Sequence, residues 1–120
     1  MTTSIDFKSG TNIICFNSTE SFTKLFGTSI TKVNSISKIK NNLINTAIII
    51  GSAVIGSISN SEFYSGYNVT CNDSFILTFS KNYETNGRIK LENGINIIGV
   101  SNQDNISIGS IFNYNNISSI

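Results

Sequence analysis

The chain has 120 residues and a formal net charge of +1, and only 12% of its residues are charged. A positive charge this small cannot hold a nucleic-acid backbone through counterion release, so we expect no nucleic-acid partner. The length suits one compact unit with its own core, and we predict a single domain over residues 1–120. Because a near-neutral chain is poorly protected from self-association, we expect a homo-oligomer or a larger assembly.

The composition favours β-structure. Asparagine (18), serine (19) and isoleucine (22) make up almost half of the chain, proline, tryptophan and histidine are absent, and alanine occurs twice. Isoleucine is stiff at χ1 and suits a pleated surface, whereas asparagine and serine compete with the helical backbone for hydrogen bonds. We therefore predict an all-β fold.

The cysteines and the N-terminal residues bear on compartment and cofactors. Cys15 and Cys71 belong to no CxxC spacing, and the absence of histidine excludes the usual zinc site, so we expect neither a metal nor a cofactor. Two buried thiols are favoured over a disulfide. The segment MTTSIDFKSGTN contains no apolar signal region, which predicts synthesis in a cytoplasm.

The first distinctive segment in chain order is a Lys/Ile repeat over residues 22–42. An apolar-hydroxyl-Lys-apolar pattern occurs there three times, at residues 22–25, 30–33 and 36–39. The copies are separated by even numbers of residues, which preserves the facing of a β-strand and fits no helical period. We predict a strand or arm whose two sides touch different neighbours, or an edge strand guarded by lysine, with a solvated loop as the alternative. The interface candidates in this segment are Lys24, Lys32 and Lys38.

The next segment, residues 43–58, is a hydrophobic strand pair. Its sequence LINTAIIIGSAVIGSI is too short and too interrupted to cross a bilayer as a helix, so we expect no membrane partner. We predict a buried strand at 47–50, a Gly-Ser bend and a second strand at 53–58. Exposed, this uncharged β-branched run would aggregate, which places it in the core or in a subunit contact. The interface candidates here are Ile48, Ile49, Ile50, Val54 and Ile55.

The second half of the chain contains short alternating runs separated by turn signals. In SFILTFS, Phe75, Leu77 and Phe79 share one face, and Asn93-Gly94 separates two further alternating runs in a predicted hairpin. The tail contains two weaker strand patterns, ISIGSIF and ISSI. Short strands at this spacing predict one compact β-sandwich or a partly closed barrel.

The residues that carry chemistry are sparse. The chain has no histidine, one arginine and seven scattered carboxylates without a catalytic spacing, so we expect no enzymatic activity. The cluster EFYSGYNV offers an alternative carbohydrate platform formed by Phe63, Tyr64, Tyr67 and Asn68. Aromatic residues of a sandwich are more often core or interface anchors, and that interpretation is favoured.

Two segments resemble known families. The stretch TKLFGTSITKVNSISKIK resembles low-complexity phrases in structural proteins of tailed bacteriophages, notably crAss-like phages of gut Bacteroidota. The stretch DSFILTFSKNYETNGRIKLENG resembles the strand-turn-strand register of bacterial and phage immunoglobulin-like domains.

The first resemblance implies a non-enzymatic virion component, such as a capsid decoration protein, a head-fibre component or a tail subunit. Its partners would be further copies of itself and other virion proteins, and its location the virion, after synthesis in the host cytoplasm. The alternative function, which rests on the aromatic cluster, is a carbohydrate- or cell-surface-binding β-sandwich module.

Overall fold

The computed structural model describes residues 2–16, 18–40, 42–63, 65–80, 94–96 and 98. Within these residues the chain forms seven strands, one α-helix and one 3₁₀-helix. The elements are β1 (Thr2–Phe7), β2 (Gly10–Ile14), α1 (Phe22–Phe26), the 3₁₀-helix (Gly27–Lys32), β3 (Val33–Lys40), β4 (Leu43–Ile50), β5 (Ala53–Gly56), β6 (Tyr67–Cys71) and β7 (Phe75–Ser80).

The strands form two antiparallel sheets. β1 pairs with β7, and the other five strands form a larger sheet in the order β2-β6-β3-β4-β5. The two sheets enclose one hydrophobic core, which confirms the all-β prediction and its sandwich alternative. The described strands do not close into a barrel.

The strand predicted around SFILTFS is confirmed as β7. Phe75, Leu77 and Phe79 are buried, and Ile76 between them is 69% exposed. The predictions further along the chain, namely the hairpin at Asn93-Gly94 and the two tail strands, lie largely outside the described residues. Of that region, residue 95 contacts the loop between β3 and β4, where the backbone N–H of Ile95 donates to Asn42 Oδ1 at 2.9 Å.

The first copy of the Lys/Ile repeat is helical, so the strand prediction is wrong there. Ser21 caps α1, because its side-chain oxygen accepts a hydrogen bond from the backbone N–H of Lys24 at 3.2 Å. Phe22, Leu25 and Phe26 follow at the i, i+3, i+4 spacing of one helical face and are all buried. This spacing directly after a serine cap is a local signal for a helix. It outweighs the even separation of the three copies, which favours a strand.

The second and third copies of the repeat differ from each other as well. Ile30 and Lys32 lie in the 3₁₀-helix, so the strand prediction is also wrong for the second copy. The third copy lies in β3, so the strand prediction is confirmed there, and Ile36 and Lys38 share the core-facing side. Because β3 pairs with β6 on one side and β4 on the other, the interpretation as a lysine-guarded edge is wrong.

The hydrophobic segment forms the predicted hairpin, but only one of its faces is buried. β4 and β5 pair on either side of Gly51-Ser52, and glycine with positive φ at the first loop position is typical of a type II′ turn. β4 begins four residues earlier than predicted, and β5 ends two residues earlier, at Gly56. A Cβ at Gly56 would overlap the carbonyl oxygen of Thr46, so only glycine fits this end of β5.

Aromatic rings from all parts of the fold meet in the core. Phe16 follows β2 and is fully buried among rings from both sheets and α1. Its centroid lies 5.6 Å from that of Phe26 and 5.8 Å from those of Tyr67 and Phe79. These contacts join the small sheet, the large sheet and the helix into one core.

Candidate functional site

The large sheet has a side that faces away from the core, here called the outer face. The outer face carries the even-numbered residues of β4 and the odd-numbered residues of β5, because side chains alternate along each strand. Its members are Thr11 and Ile13 of β2, Asn68 and Thr70 of β6, Ser35, Ser37 and Ile39 of β3, Ile44, Thr46, Ile48 and Ile50 of β4, and Ala53 and Ile55 of β5. The face is polar on the side of β2 and apolar on the side of β5.

The apolar part of the outer face is formed by four isoleucines, here called the isoleucine patch: Ile44, Ile48, Ile50 and Ile55. They are 66%, 54%, 63% and 54% exposed, respectively. Ile48 and Ile55 lie directly opposite each other across the β4–β5 pair. No charged residue occurs between positions 43 and 58. Together the four side chains expose on the order of 400 Å² of apolar surface, with Thr46 between Ile44 and Ile48 on the same face, and apolar areas of this size often mark an interaction site.

The predicted interface candidates of this hairpin divide between its two faces. Ile48, Ile50 and Ile55 belong to the isoleucine patch, whereas Ile49 and Val54 oppose each other on the inner face and pack against the core. Of the two predicted locations, the core is confirmed for the inner face only, and a subunit contact stays a prediction for the outer face. Ile44 was not among the predicted residues, although the alternation of isoleucine at positions 44, 48 and 50 is its sequence signal.

The three lysines of the repeat do not share a surface. Lys24 lies on α1 and pairs with Glu20 at 3.2 Å, and the Nζ atom of Lys32 lies 6.0 Å from the ring centroid of Phe75. The side chain of Lys38 is only 14% exposed, and it donates to a Glu62 carboxylate oxygen at 3.1 Å. These separate local contacts do not make the lysines one interface.

The predicted carbohydrate platform is not assembled as a surface. Tyr67 is fully buried, and its ring lies 5.5 Å from Phe22 and 5.8 Å from Phe16, so it cannot stack on a sugar. The Tyr67 hydroxyl accepts a hydrogen bond from the backbone N–H of Glu62 at 2.9 Å. Phe63 is half-buried, and Tyr64 lies outside the described residues. The side chain of Asn68 belongs to the outer face, and its Oδ1 atom is buried without a hydrogen-bond partner.

Burial of Tyr67 makes the free energy of unfolding depend on pH in the alkaline range. Desolvation, assisted by the nearby Glu62 carboxylate, raises the pKa of Tyr67 from 10.0 to about 12. The unfolded chain therefore loses this proton first, so we expect stability to fall as the pH rises from about 10 to about 12, by about 3 kcal/mol at most. Urea unfolding across this pH range measures the loss.

The control for this pH dependence is Tyr67→Phe, which keeps the ring and removes the titrating proton. We expect the variant to lose stability at neutral pH, since the Glu62 N–H loses its acceptor, but to show a flatter decline in alkali. Burial also raises the pKa of the Cys71 thiol, which adds a decline in the same direction. An unchanged alkaline decline in Tyr67→Phe would assign the effect to groups other than Tyr67.

Cys15 and Cys71 are both thiols; Cys71 is buried as predicted, whereas Cys15 is half-buried. Among the described residues, no three cysteine, aspartate or glutamate side chains converge as a metal site would require. None of the described helices has the length and apolar character needed to cross a membrane.

Comparison of the chain with protein-family models, curated proteins and solved structures finds no match.

Proposed function

We propose that the protein is a non-enzymatic structural subunit that assembles through the isoleucine patch, as a component of a phage virion. The observation that carries this proposal is the exposure of Ile44, Ile48, Ile50 and Ile55 on one uncharged side of the β4–β5 hairpin. The likeness of the Lys/Ile repeat to phage structural proteins supports the virion context.

The burial pattern of the hairpin supports a contact role over a core role. The inner face of the hairpin already packs against the core through Ile49 and Val54, so the core of the isolated chain does not need the isoleucine patch to cover it. Removing such a patch from water stabilises an assembly by roughly 25 cal/mol per Å², or on the order of 10 kcal/mol before the costs of association. An uncharged patch also suits contact with a second copy, because two identical charged surfaces repel.

Self-association tests the assembly part of the proposal. We expect the parent to form concentration-dependent oligomers in sedimentation velocity experiments, and the double variant Ile44→Ser, Ile48→Ser to remain monomeric at the same concentrations. Both positions are on the exposed face, so the circular dichroism spectrum should not change. The matched control is Thr46→Ser, which lies between them on the same face. A monomeric parent at all concentrations, or a double variant that still assembles, would contradict the proposal.

The virion part requires a separate measurement. We expect the chain to be present at a fixed ratio to the major capsid protein in purified particles of the phage that encodes it, by quantitative mass spectrometry. Particles grown with the Ile44→Ser, Ile48→Ser variant should lack the chain. Absence of the chain from washed particles would limit the proposal to self-assembly outside a virion.

A further inference from the structure

The outer face of the large sheet is uncharged across all five strands. From β2 to β5 its described members are isoleucine, threonine, serine, asparagine and alanine, without a lysine, arginine, aspartate or glutamate. The described lysines that form ion pairs, Lys8, Lys24 and Lys38, all lie elsewhere. Solvent-facing surfaces usually mix both signs of charge, whereas the centre of an interface is depleted of charge. The whole outer face, and not the isoleucine patch alone, therefore has the composition of a contact surface.

The isoleucine patch by itself is smaller than a standard contact between two chains. It exposes on the order of 400 Å², about half of the roughly 800 Å² that each partner contributes to a standard interface. At the far end of the outer face, Ile13 is 67% exposed and Thr11 is exposed as well. With these two and the partly exposed residues in between, the outer face offers roughly 800 Å² in total. A contact of standard size therefore needs the whole face.

From this composition and area we infer that two copies stack their outer faces on each other as two aligned sheets. The inference rests on the proposed function, and it specifies the partner as a second copy and the orientation of that copy. Sheets that pack face to face lie about 10 Å apart, with their strands within about 30° of alignment. Stacking in this way covers both isoleucine patches, which the single chain leaves in water.

The uneven distribution of isoleucine over the outer face determines the orientation. A two-fold axis that runs along the strands, at the middle of the sheet, places the apolar β5 side of one copy on the polar β2 side of the other. The same axis shifted toward β5 joins the two patches but leaves both β2 sides uncovered. An axis that runs across the strands stacks each strand on its own counterpart, so apolar meets apolar and the whole face is covered. Only this last arrangement meets both requirements.

Thr11 and Ile55 are the two ends of one row of outer-face residues. The row runs from Thr11 through Thr70, Ser35 and Ile48 to Ile55, with one residue on each strand. Its ends are roughly 20 Å apart, because neighbouring strands lie about 4.8 Å apart. The row passes through the isoleucine patch at Ile48, so an axis across the strands at the patch brings each end to about 10 Å from its own counterpart.

Cross-linking of Thr11→Cys and of Ile55→Cys tests the orientation. With a bismaleimide reagent that spans about 10 Å, we expect each variant alone to give about tenfold more covalent dimer than the parent, because stacking raises the effective thiol concentration. An equimolar mixture of the two variants should give few dimers that link position 11 to position 55, as peptide mapping by mass spectrometry shows. The parent measures the contribution of Cys15 and Cys71.

The pattern of cross-links separates the three arrangements. Dimers that mainly link position 11 to position 55 would show an axis along the strands and overturn the inference. Cross-linking of Ile55→Cys without that of Thr11→Cys would show that only the patches meet, and would overturn it too. Failure of both variants to cross-link would exclude stacked faces.

A charge at the β2 end tests the use of the whole face independently. Thr11→Lys lies outside the isoleucine patch, and the stacked arrangement brings the two lysines together, so we expect association to weaken by about tenfold or more in sedimentation velocity experiments. The matched control is Thr2→Lys, at an exposed threonine of β1 in the small sheet, which should associate like the parent. Circular dichroism checks that both variants fold.

Failure of this inference is distinguishable from failure of the proposed function. If the parent self-associates, Ile44→Ser, Ile48→Ser abolishes association and Thr11→Lys does not weaken it, the assembly through the isoleucine patch stands and the stacking of whole faces is wrong. If the parent stays monomeric at all concentrations, both fail, and the outer face belongs to a partner other than a second copy.

Discussion

Ile49→Lys is expected to give unfolded or insoluble protein, whereas Ile48→Lys at the neighbouring position is expected to fold normally and fail to assemble. Ile49 faces the inner side of the large sheet and packs against the core, so a lysine there buries an unpaired ammonium at a cost of several kcal/mol. Ile48 is 54% exposed on the outer face, where a lysine costs the monomer little. In an oligomer, the same lysine places like charges at the contact.

The measurement for this pair combines soluble yield and thermal unfolding with sedimentation velocity. Ser59→Lys is the control, because Ser59 is exposed and lies beyond the hydrophobic segment; we expect it to fold and assemble like the parent. Normal folding and assembly of Ile49→Lys would mean that this residue does not support the core. Normal assembly of Ile48→Lys would show that the isoleucine patch is not part of the contact between copies.

The second large effect is expected at Phe16, where substitution by alanine should destabilise the fold by about 3–5 kcal/mol. Phe16 is completely buried and contacts rings from both sheets and from α1, so its loss opens a cavity shared by every layer of the fold. A domain of this size is stable by only about 5–15 kcal/mol, so the substitution would remove a large part of its stability. Urea unfolding at 25 °C, with the parent as reference, gives the difference directly.

Two controls accompany Phe16→Ala. Ile76→Ala removes most of an aliphatic side chain from a 69% exposed position on β7 and should change stability by about 0.5 kcal/mol or less. Phe16→Leu should lie between the parent and the alanine variant, because leucine fills most of the cavity. If Phe16→Ala were as stable as the parent, the aromatic cluster would not be the element that joins the two sheets.

The two expectations connect folding with assembly. One face of the β4–β5 hairpin completes the core of the single chain, and the other presents the isoleucine patch at the edge of the sheet. Under the proposed function, a substitution in the isoleucine patch would therefore remove assembly without removing the fold. This separation suits a structural subunit, which must remain folded between synthesis and incorporation.

The sequence by itself determined the class of the fold, the strand β7 and the β4–β5 hairpin. The alternation of Phe75, Leu77 and Phe79 with exposed residues established β7 and its buried side, because a strand with one covered face requires a period of two. Gly51-Ser52 between apolar runs established the hairpin, because a two-residue turn needs a residue that adopts positive φ readily. Both signals are local, so no knowledge of the rest of the chain was needed.

The tertiary structure alone decided which faces are covered. Along β4 both sides are apolar, with Ala47 and Ile49 on one and Ile48 and Ile50 on the other, so periodicity could not show which side meets the core. The sequence predicted Tyr67 as a candidate residue of a carbohydrate platform. Its burial depends on the rings of Phe16 and Phe22, which lie far away in the chain. Coverage follows from how the helix and the small sheet pack on the large sheet, a non-local arrangement that local spacing does not encode.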